Sequence, residues 1–144
     1  MAPLLIQVTG ASEQNGKCKI LSLKGGGIHG AWEAGVLKAL TEAMPRNEID
    51  YDHVAGVSIG AINASIFSTF PRGSERQASA MISSLYEDYT SEDLFSFYSP
   101  LIFAPFQHNS IADFQPCFEV LKKLLGDRPF ERKLSLMTCD LNKA

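Results

Sequence analysis

The sequences ILSLKGGGIHGAWEAGVLKAL at residues 20–40 and HVAGVSIGAINAS at residues 53–65 decide the fold of this chain. Each starts with a short run of β-favouring residues, turns at glycines, and continues with apolar residues at helical spacing. The first predicts a strand over 20–23, followed by a helix that ends before Pro45 and buries Trp32 on its apolar face against the sheet. The second predicts a strand over 53–57 and a helix over 59–69. Strands that alternate with helices are typical of an α/β fold with a mainly parallel sheet.

The rest of the sequence extends this α/β pattern. Apolar spacing predicts amphipathic helices over 78–89 and 116–125, and residues 134–139 predict a third strand. Residues 1–17 carry weak periodicity and turn residues, so we expect a flexible lead-in before one domain at 18–144. Three strands are fewer than such sheets usually carry. We therefore expect only the N-terminal portion of the fold.

Composition and charge exclude several classes of protein. The length of 144 residues fits one domain, and 45% apolar residues exclude a disordered chain. Thirteen basic against sixteen acidic residues give a net charge of −3, which argues against nucleic acid as a partner. The three cysteines lack metal-ligand spacing, so no metal is expected. The N-terminus has no basic residue before its apolar run, unlike a secretory signal. We expect a cytoplasmic protein or one peripheral to an intracellular membrane.

The first glycine-rich turn, KGGGIHG at residues 24–30, lies between a predicted strand and a predicted helix. Glycines there leave backbone amides open at a helix N-terminus, where negative charge is favoured. Such a turn holds a phosphate or an oxyanion, or is simply a tight turn. Gly25, Gly27 and Gly30 also match the dinucleotide fingerprint G-x-G-x-x-G. However, Asp50 and Asp52 precede the second strand, whereas the ribose-binding acid of that fold follows it.

The second turn, Gly56-Val57-Ser58-Ile59-Gly60, matches the pattern G-x-S-x-G between a strand and a helix. In that context the pattern predicts a nucleophile elbow, which raises a serine hydroxyl above the end of a strand. The dipole of the following helix stabilises negative charge that develops at the serine. The sequence therefore predicts Ser58 as a nucleophile, with Gly56 and Gly60 giving its turn the room that it needs.

The two turns in this order resemble the start of a patatin-like phospholipase, a family of lipid acyl hydrolases. The resemblance runs from about residue 20 to the C-terminus, where LSLMTCDLN at 134–142 is similar to a later core strand of the family. It implies a three-layer α/β fold and no organic cofactor or metal. Here Lys24 replaces the usual aspartate of the glycine-rich loop and His29 its usual basic residue. Both are weaker candidates for a role in the site.

The resemblance also implies the roles of the site residues. Ser58 would form an acyl-enzyme, and backbone amides would hold the oxyanion; these belong to Gly25, Gly26, Gly27 and Ile59. Gly30, Gly56 and Gly60 would shape the loop and the elbow. The substrate would be a phospholipid or another acyl lipid at a membrane surface.

One family element is missing from the sequence. The family's general base is an aspartate in a D-G-[AG] motif, and no aspartate here is followed by glycine. His29 and His108 are the alternative bases. The missing base leaves three hypotheses: part of a longer enzyme, a pseudoenzyme, or a chain completed by another chain. We thus expect an impaired or inactive acyl hydrolase, or alternatively a non-catalytic structural or lipid-binding subunit whose protein partner covers the C-terminal strand.

Overall fold

The computed structural model describes residues 6–8, 18–94, 96–97 and 112–138. Its elements are, in chain order, β1 (Ile6–Val8), β2 (Ile20–Leu23), α1 (His29–Ala43), α2 (Arg46–Ile49), β3 (His53–Val57), α3 (Ile59–Ser68), α4 (Glu75–Asp88), α5 (Ser91–Leu94), β4 (Ser96–Phe97), β5 (Ala112–Asp113), α6 (Gln115–Leu125) and β6 (Lys133–Met137). The chain divides into two compact units, of which one comprises residues 1–83 with 128–144 and the other residues 84–127.

The larger unit contains a four-stranded sheet in the order β1-β6-β3-β2. Strands β2, β3 and β6 are parallel, with Leu23 opposite Gly56 and Gly56 opposite Leu136. This mixed α/β fold with a parallel sheet confirms the predicted fold class. Because β2 and β3 are parallel neighbours in this register, the two glycine turns that follow them lie at the same edge of the sheet.

The core lies around β3 and the helix that follows it. Val54 is fully buried in the central strand, and Leu134 is buried beside it on β6. Helix α3 is apolar over most of its surface and buries Ala64, Ile66 and Phe67 completely. A helix that is apolar nearly all round is held inside the fold rather than at its surface. The position of α3, and hence of its first turn, is therefore set by the core.

Helix α1 forms where the sequence predicts it, but a different face is buried. The expectation places Trp32 on the apolar face, whereas its side chain is 70% exposed. The buried residues of α1 are instead Gly30, Glu33, Ala34, Leu37 and Thr41. Small residues at the start of this face allow a close approach to α3, where the Gly30 carbonyl accepts a hydrogen bond from Asn63. A tryptophan would not fit in that approach.

Further elements compare directly with the sequence. Helix α4 buries Ala78, Ile82 and Leu85, which are three residues of the predicted apolar face. Strand β6 spans Lys133–Met137, and so overlaps residues 134–137 of the strand predicted over 134–139. Strand β1 lies within the segment 1–17, where the sequence predicts no strand, and pairs antiparallel with β6. It occupies the strand edge at which the sequence analysis expected a partner chain.

The described part of the smaller unit, residues 84–127, contains the end of α4, the helices α5 and α6, and a two-stranded antiparallel sheet. Ser96 pairs with Asp113 in this sheet. Helix α6 has Pro116 in its first turn, where a missing amide costs no hydrogen bond, and it ends before Gly126. Both boundaries agree with the helix predicted over 116–125.

Candidate active site

Ser58 occupies the turn between β3 and α3 in a strained backbone conformation. Its φ is 55° and its ψ is −128°, and it is the only non-glycine residue of the described part of the chain with a positive φ. Val57 ends the strand and Ile59 starts the helix, so no other residue separates the two elements. Such a conformation costs about 1–3 kcal/mol for a residue with a side chain. The turn leaves Ser58 exposed at the end of the sheet.

The glycines on either side of Ser58 are required by close backbone approach. A Cβ on Gly56 would lie 2.6 Å from the carbonyl carbon of Gly60. A Cβ on Gly60 would lie 2.5 Å from the carbonyl oxygen of Leu23 and 2.6 Å from that of Lys24. All three distances are far below van der Waals contact, and the atoms concerned belong to the main chain, which cannot rotate away. Glycine at positions 56 and 60 therefore has a direct steric cause in this fold.

The glycine-rich loop of residues 24–30 lies directly against Ser58. A Cβ on Gly25 would be 3.0 Å from the Ser58 Cβ and 3.8 Å from its Oγ. Further along the loop, Gly26 has a φ of 154° and Gly27 a φ of 57°. Residues with side chains rarely adopt these values, which explains why glycine occupies both positions. The structure thus brings together the two turns that the sequence singled out.

The backbone around Ser58 presents hydrogen-bond donors. The carbonyls of Gly26 and Gly27 accept from His29 and Gly30, at 3.2 and 3.0 Å. No hydrogen bond among the described residues uses the amides of Gly26 or Gly27 as donors. Helix α3 begins at Ile59, so its positive dipole end lies beside Ser58, and no acidic residue lies in the first turn of α1 or α3. This edge of the sheet therefore favours negative charge.

The two weaker candidates in the loop differ in position. Lys24 is exposed at the start of the loop, and its backbone amide donates to Glu33. His29 starts α1, and its Nδ1 lies 2.9 Å from where a Cβ on Gly26 would be. Within the described residues no hydrogen bond joins His29, or any carboxylate, to Ser58. His108, the other predicted base, lies outside the described residues.

Two buried polar residues behind the loop were missed by the sequence analysis. Glu33 is 8% exposed and Asn63 is fully buried. The Glu33 Oε1 accepts from the Lys24 amide at 2.8 Å, and its Oε2 lies 3.4 Å from the Asn63 Nδ2. For Glu33, the sequence feature that could have predicted burial is its helical spacing, because it lies on the same face of α1 as the buried Gly30 and Leu37. Burial of a charged residue requires polar partners.

The aspartates of the dinucleotide alternative lie elsewhere. Asp50 and Asp52 precede β3, at the opposite end of the strand from the glycine-rich loop. Both accept hydrogen bonds from the Arg72 guanidinium. Arg72 thereby holds the pKa of the Asp50 carboxyl below its usual value. These carboxylates are engaged in an ion-pair cluster and not placed to meet a ribose at the loop.

Within the described ranges, no three histidine, cysteine or acidic side chains are grouped so as to hold a metal ion. Cys18 and Cys117 are free thiols there, and burial raises the pKa of Cys117. A search of the same residues for a helix long and apolar enough to cross a membrane found none.

Comparison with known proteins gives one match. A family model described as patatin-like phospholipase matches residues 21–140. The match covers most of the chain, including both turns at the edge of the sheet. No curated protein and no solved structure matches the chain significantly.

Proposed function

Because the chain belongs to the patatin-like phospholipase family, a family of lipid hydrolases, we propose that it cleaves acyl esters of lipids with Ser58 as the nucleophile. One observation carries this proposal. A serine with a φ of 55° stands where a glycine-rich loop approaches to 3.0 Å, measured from its Cβ to a Cβ position on Gly25. Strain of this size persists where the surrounding structure over-determines it, and it concentrates at active sites.

In the proposed reaction the Ser58 Oγ attacks the carbonyl carbon of a lipid ester and gives up its proton to a base. Negative charge then develops on the carbonyl oxygen. Backbone amides are the donors for this oxyanion, and those at hand belong to Gly25, Gly26, Gly27 and Ile59. Removal of one such donor typically costs about 10²–10³ in rate, so these amides would supply a large part of the transition-state stabilisation.

Collapse of the tetrahedral intermediate breaks the ester bond to the alcohol. The alcohol leaves with a proton from the protonated base, and the acyl group remains on Ser58. A water molecule then attacks the acyl-serine and loses a proton to the base. The base returns this proton to the Ser58 Oγ as the acyl–oxygen bond breaks, which releases the fatty acid and restores the serine. The sum is one ester and one water converted to one acid and one alcohol, with no cofactor consumed.

The base is the element that this chain does not supply in the family's form. No aspartate is followed by glycine in the sequence. General-base assistance is worth about 10²–10⁴ in rate. We therefore expect this chain alone to acylate slowly, and the rate to rise if another chain or segment supplies a carboxylate near the Ser58 Oγ.

A lipid surface as the location of the substrate is supported by two exposed apolar side chains. Ile28 is 82% exposed and Trp32 is 70% exposed, one helical turn apart beside the glycine-rich loop. Tryptophan favours the interface between lipid and water. We expect replacement of both residues by serine to weaken binding to phosphatidylcholine vesicles, as measured by co-sedimentation. Replacement of the exposed Glu42, near the other end of the same helix, by serine serves as a control.

Labelling with a fluorophosphonate tests the proposed nucleophile without knowledge of the lipid. We expect mass spectrometry to find the adduct on Ser58, and Ser58→Ala to abolish it. Ser65→Ala is a matched control, because Ser65 lies on α3, the helix that follows Ser58, and its hydroxyl donates to the Ala61 carbonyl at 2.8 Å. No adduct in a folded sample would exclude a reactive Ser58 in this chain.

A second function, a non-catalytic lipid-binding subunit, is favoured by the missing D-G-[AG] aspartate. It predicts vesicle binding that is unchanged in Ser58→Ala, together with no fluorophosphonate adduct and no fatty acid released. Adduct formation at Ser58 with release of fatty acid would contradict it.

A further inference from the structure

The buried pair of Glu33 and Asn63 has no part in the proposed bond-making steps, yet it contacts both ends of the glycine-rich loop. At the start of the loop, the Lys24 amide donates to the Glu33 Oε1 at 2.8 Å. At its end, the Asn63 Nδ2 donates to the Gly30 carbonyl at 3.2 Å and lies 3.4 Å from the Glu33 Oε2. One side chain from α1 and one from α3 thus hold the loop from behind.

The glycines between these two contacts have no side chains that could hold the loop in place. Gly25, Gly26 and Gly27 have no side chains to pack, and consecutive glycines lose more conformational freedom on ordering than other residues. The turn bonds from His29 to Gly26 and from Gly30 to Gly27 close the loop on itself. They do not tie it to α3, whose first residue follows Ser58. Asn63 connects α3 to the loop through the Gly30 carbonyl, and Glu33, which contacts Asn63, binds the start of the loop through the Lys24 amide.

We propose that Glu33 is a positioning residue, which acts through Asn63 and the Lys24 amide to hold the loop amides at Ser58. This inference rests on the proposed function, because it gives those amides the oxyanion role. A misplacement of about 1 Å at a reacting centre costs up to about 10²-fold in rate. A buried carboxylate suits the task because hydrogen bonds to a charged acceptor are about twice as strong as neutral ones.

The first test is Glu33→Gln, which preserves the side-chain volume. The glutamine oxygen still accepts from Lys24, but its amide group faces the Asn63 Nδ2, so two donors meet. We expect the maximal rate of fluorophosphonate labelling at Ser58 to fall by about 10–100-fold. The probe concentration for half-maximal rate should change less than about threefold, because these residues do not contact the probe.

A second measurement follows the loop without any chemistry at Ser58. Amide hydrogen exchange, resolved by residue with NMR, reports on the Lys24, His29 and Gly30 amides, which are hydrogen-bonded in this structure. In Glu33→Gln we expect these three amides to exchange about tenfold faster, which corresponds to a loss of one charge-assisted hydrogen bond.

The matched control is Thr41→Val, on the same helix at its other end. Thr41 is 1% exposed and its Oγ1 lies 2.8 Å from the Ser79 Oγ. This variant loses a buried hydrogen bond of α1 far along the chain from the loop. We expect it to lower the unfolding midpoint while the labelling rate and the exchange of the three loop amides stay within twofold of the unsubstituted chain.

Exchanging the donor and the acceptor between positions 33 and 63 separates the effect of their contact from a general loss of stability. Asn63→Asp places two carboxylates together, whereas Asn63→Asp with Glu33→Gln restores one donor and one acceptor between the two side chains, with exchanged roles. Both variants lose the donor to the Gly30 carbonyl, so this loss cancels when they are compared. We expect the double variant to label Ser58 about tenfold faster than Asn63→Asp alone. An equal or slower rate would overturn the proposal.

The outcomes also distinguish this inference from the proposed function. If the unsubstituted chain gives no adduct, the serine mechanism fails and the exchange measurement decides for Glu33 alone. Faster exchange of the loop amides in Glu33→Gln then supports its positioning of the loop. Exchange and labelling that match Thr41→Val would show a merely structural role for Glu33 and overturn the proposal.

Discussion

The polar groups at the two ends of the parallel strands differ in burial and in hydrogen bonding. At the amino end, Arg132 is fully buried and donates to the carbonyls of Phe70, Tyr51 and Pro71, at 2.8, 3.0 and 2.8 Å. It also pairs with the buried Glu75 at 2.8 Å. At the carboxyl end, the amides of Gly26 and Gly27 donate to no group among the described residues.

Backbone strain differs in the same sense. The only non-glycine residue with a positive φ in the described chain is Ser58, at the carboxyl end. At the amino end, the Arg132 guanidinium lies 4.8 Å from the ring centroid of Phe67, so its charge is covered by an aromatic face as well as by carbonyls. The comparison teaches that this fold buries an ion pair against carbonyls and an aromatic ring at one end, where only the Glu75 Oε2 lacks a partner among the polar atoms of that pair, and leaves exposed loop amides and a strained serine at the end where chemistry is proposed.

The largest effect on stability is expected at the amino end. Arg132→Met removes the partner of Glu75 and leaves a buried carboxylate with only the Gly73 amide, at 3.2 Å, as a donor in the described structure. Breaking a buried ion pair from one side costs about 3–5 kcal/mol. We expect that loss in the free energy of unfolding, measured with urea, while the folded fraction still labels Ser58 at the original rate.

Glu75→Gln is the companion variant of this pair. It leaves Arg132 with its three carbonyls and the Phe67 ring, so we expect a smaller loss of about 1–3 kcal/mol. A loss equal to that of Arg132→Met would mean that the ion pair, and not the set of carbonyl bonds, dominates this end of the sheet.

The next effect concerns the carboxyl end, where close backbone contacts replace hydrogen bonds. Gly60→Ala places a Cβ 2.5 Å from the Leu23 carbonyl oxygen, at the base of the glycine-rich loop. Overpacking of this kind costs about 1–3 kcal/mol. We expect that loss of stability together with a decrease of about 10–100-fold in Ser58 labelling, because the loop must shift away from the elbow.

Gly35→Ala is the matched control for this variant. A Cβ on Gly35 meets nothing within 4 Å, and the residue lies inside α1. Alanine is favoured over glycine in a helix by about 0.5–1 kcal/mol. The control should therefore gain stability and label normally; a loss in both variants would locate the defect in glycine replacement generally rather than at the elbow.

The sequence predicted the elements at the carboxyl end because their requirements are local. Gly56, Ser58 and Gly60 lie within five residues, and a strand, a sharp turn and a helix follow from that spacing alone. The buried face of α1 was not predictable in this way. Trp32 has the greater apolar surface, but close packing selects the small residues Gly30 and Ala34 for the buried side.

The ion-pair clusters at the amino end were not predicted from the sequence, because their partners are far apart along the chain. Arg132 and Glu75 are 57 residues apart by their numbering and meet only because β6 returns to lie beside β3. An arginine and a glutamate in a sequence are usually solvated, so nothing local distinguishes a buried pair. Long-range pairing of charges, like the contact of Glu33 with Asn63, becomes visible only in the fold.

A smaller effect tests the strain at Ser58. Ser58→Gly removes the side chain that makes a φ of 55° unfavourable, whereas Ser58→Ala keeps a Cβ in the same conformation. Both variants should lose the fluorophosphonate adduct. We expect the glycine variant to be more stable than the alanine variant by about 1 kcal/mol in urea unfolding, after allowance for the entropy of glycine. A more stable alanine variant would show that the backbone at Ser58 is not strained.

The smallest effect is a pH dependence at the amino end. Arg72 binds Asp50 through its Nε at 2.6 Å and lowers the pKa of that carboxyl, so the folded state holds the proton less tightly than the unfolded state. The stabilisation is therefore complete above about pH 4, the ordinary pKa of aspartate, and is lost as the pH falls through the lower pKa of the folded state. Arg72→Met should cost up to about 1 kcal/mol at pH 7 and progressively less in acid.

Arg76→Met separates this titration from the loss of an arginine as such. Arg76 donates to the backbone carbonyls of Thr41 and Glu42, at 2.9 and 3.2 Å, and these acceptors do not titrate. Thermal unfolding of both variants between pH 7 and pH 3 is the measurement. The difference from the unsubstituted chain should shrink in acid for Arg72→Met and stay constant for Arg76→Met. A constant difference for both would mean that Asp50 is held by packing rather than by its charge.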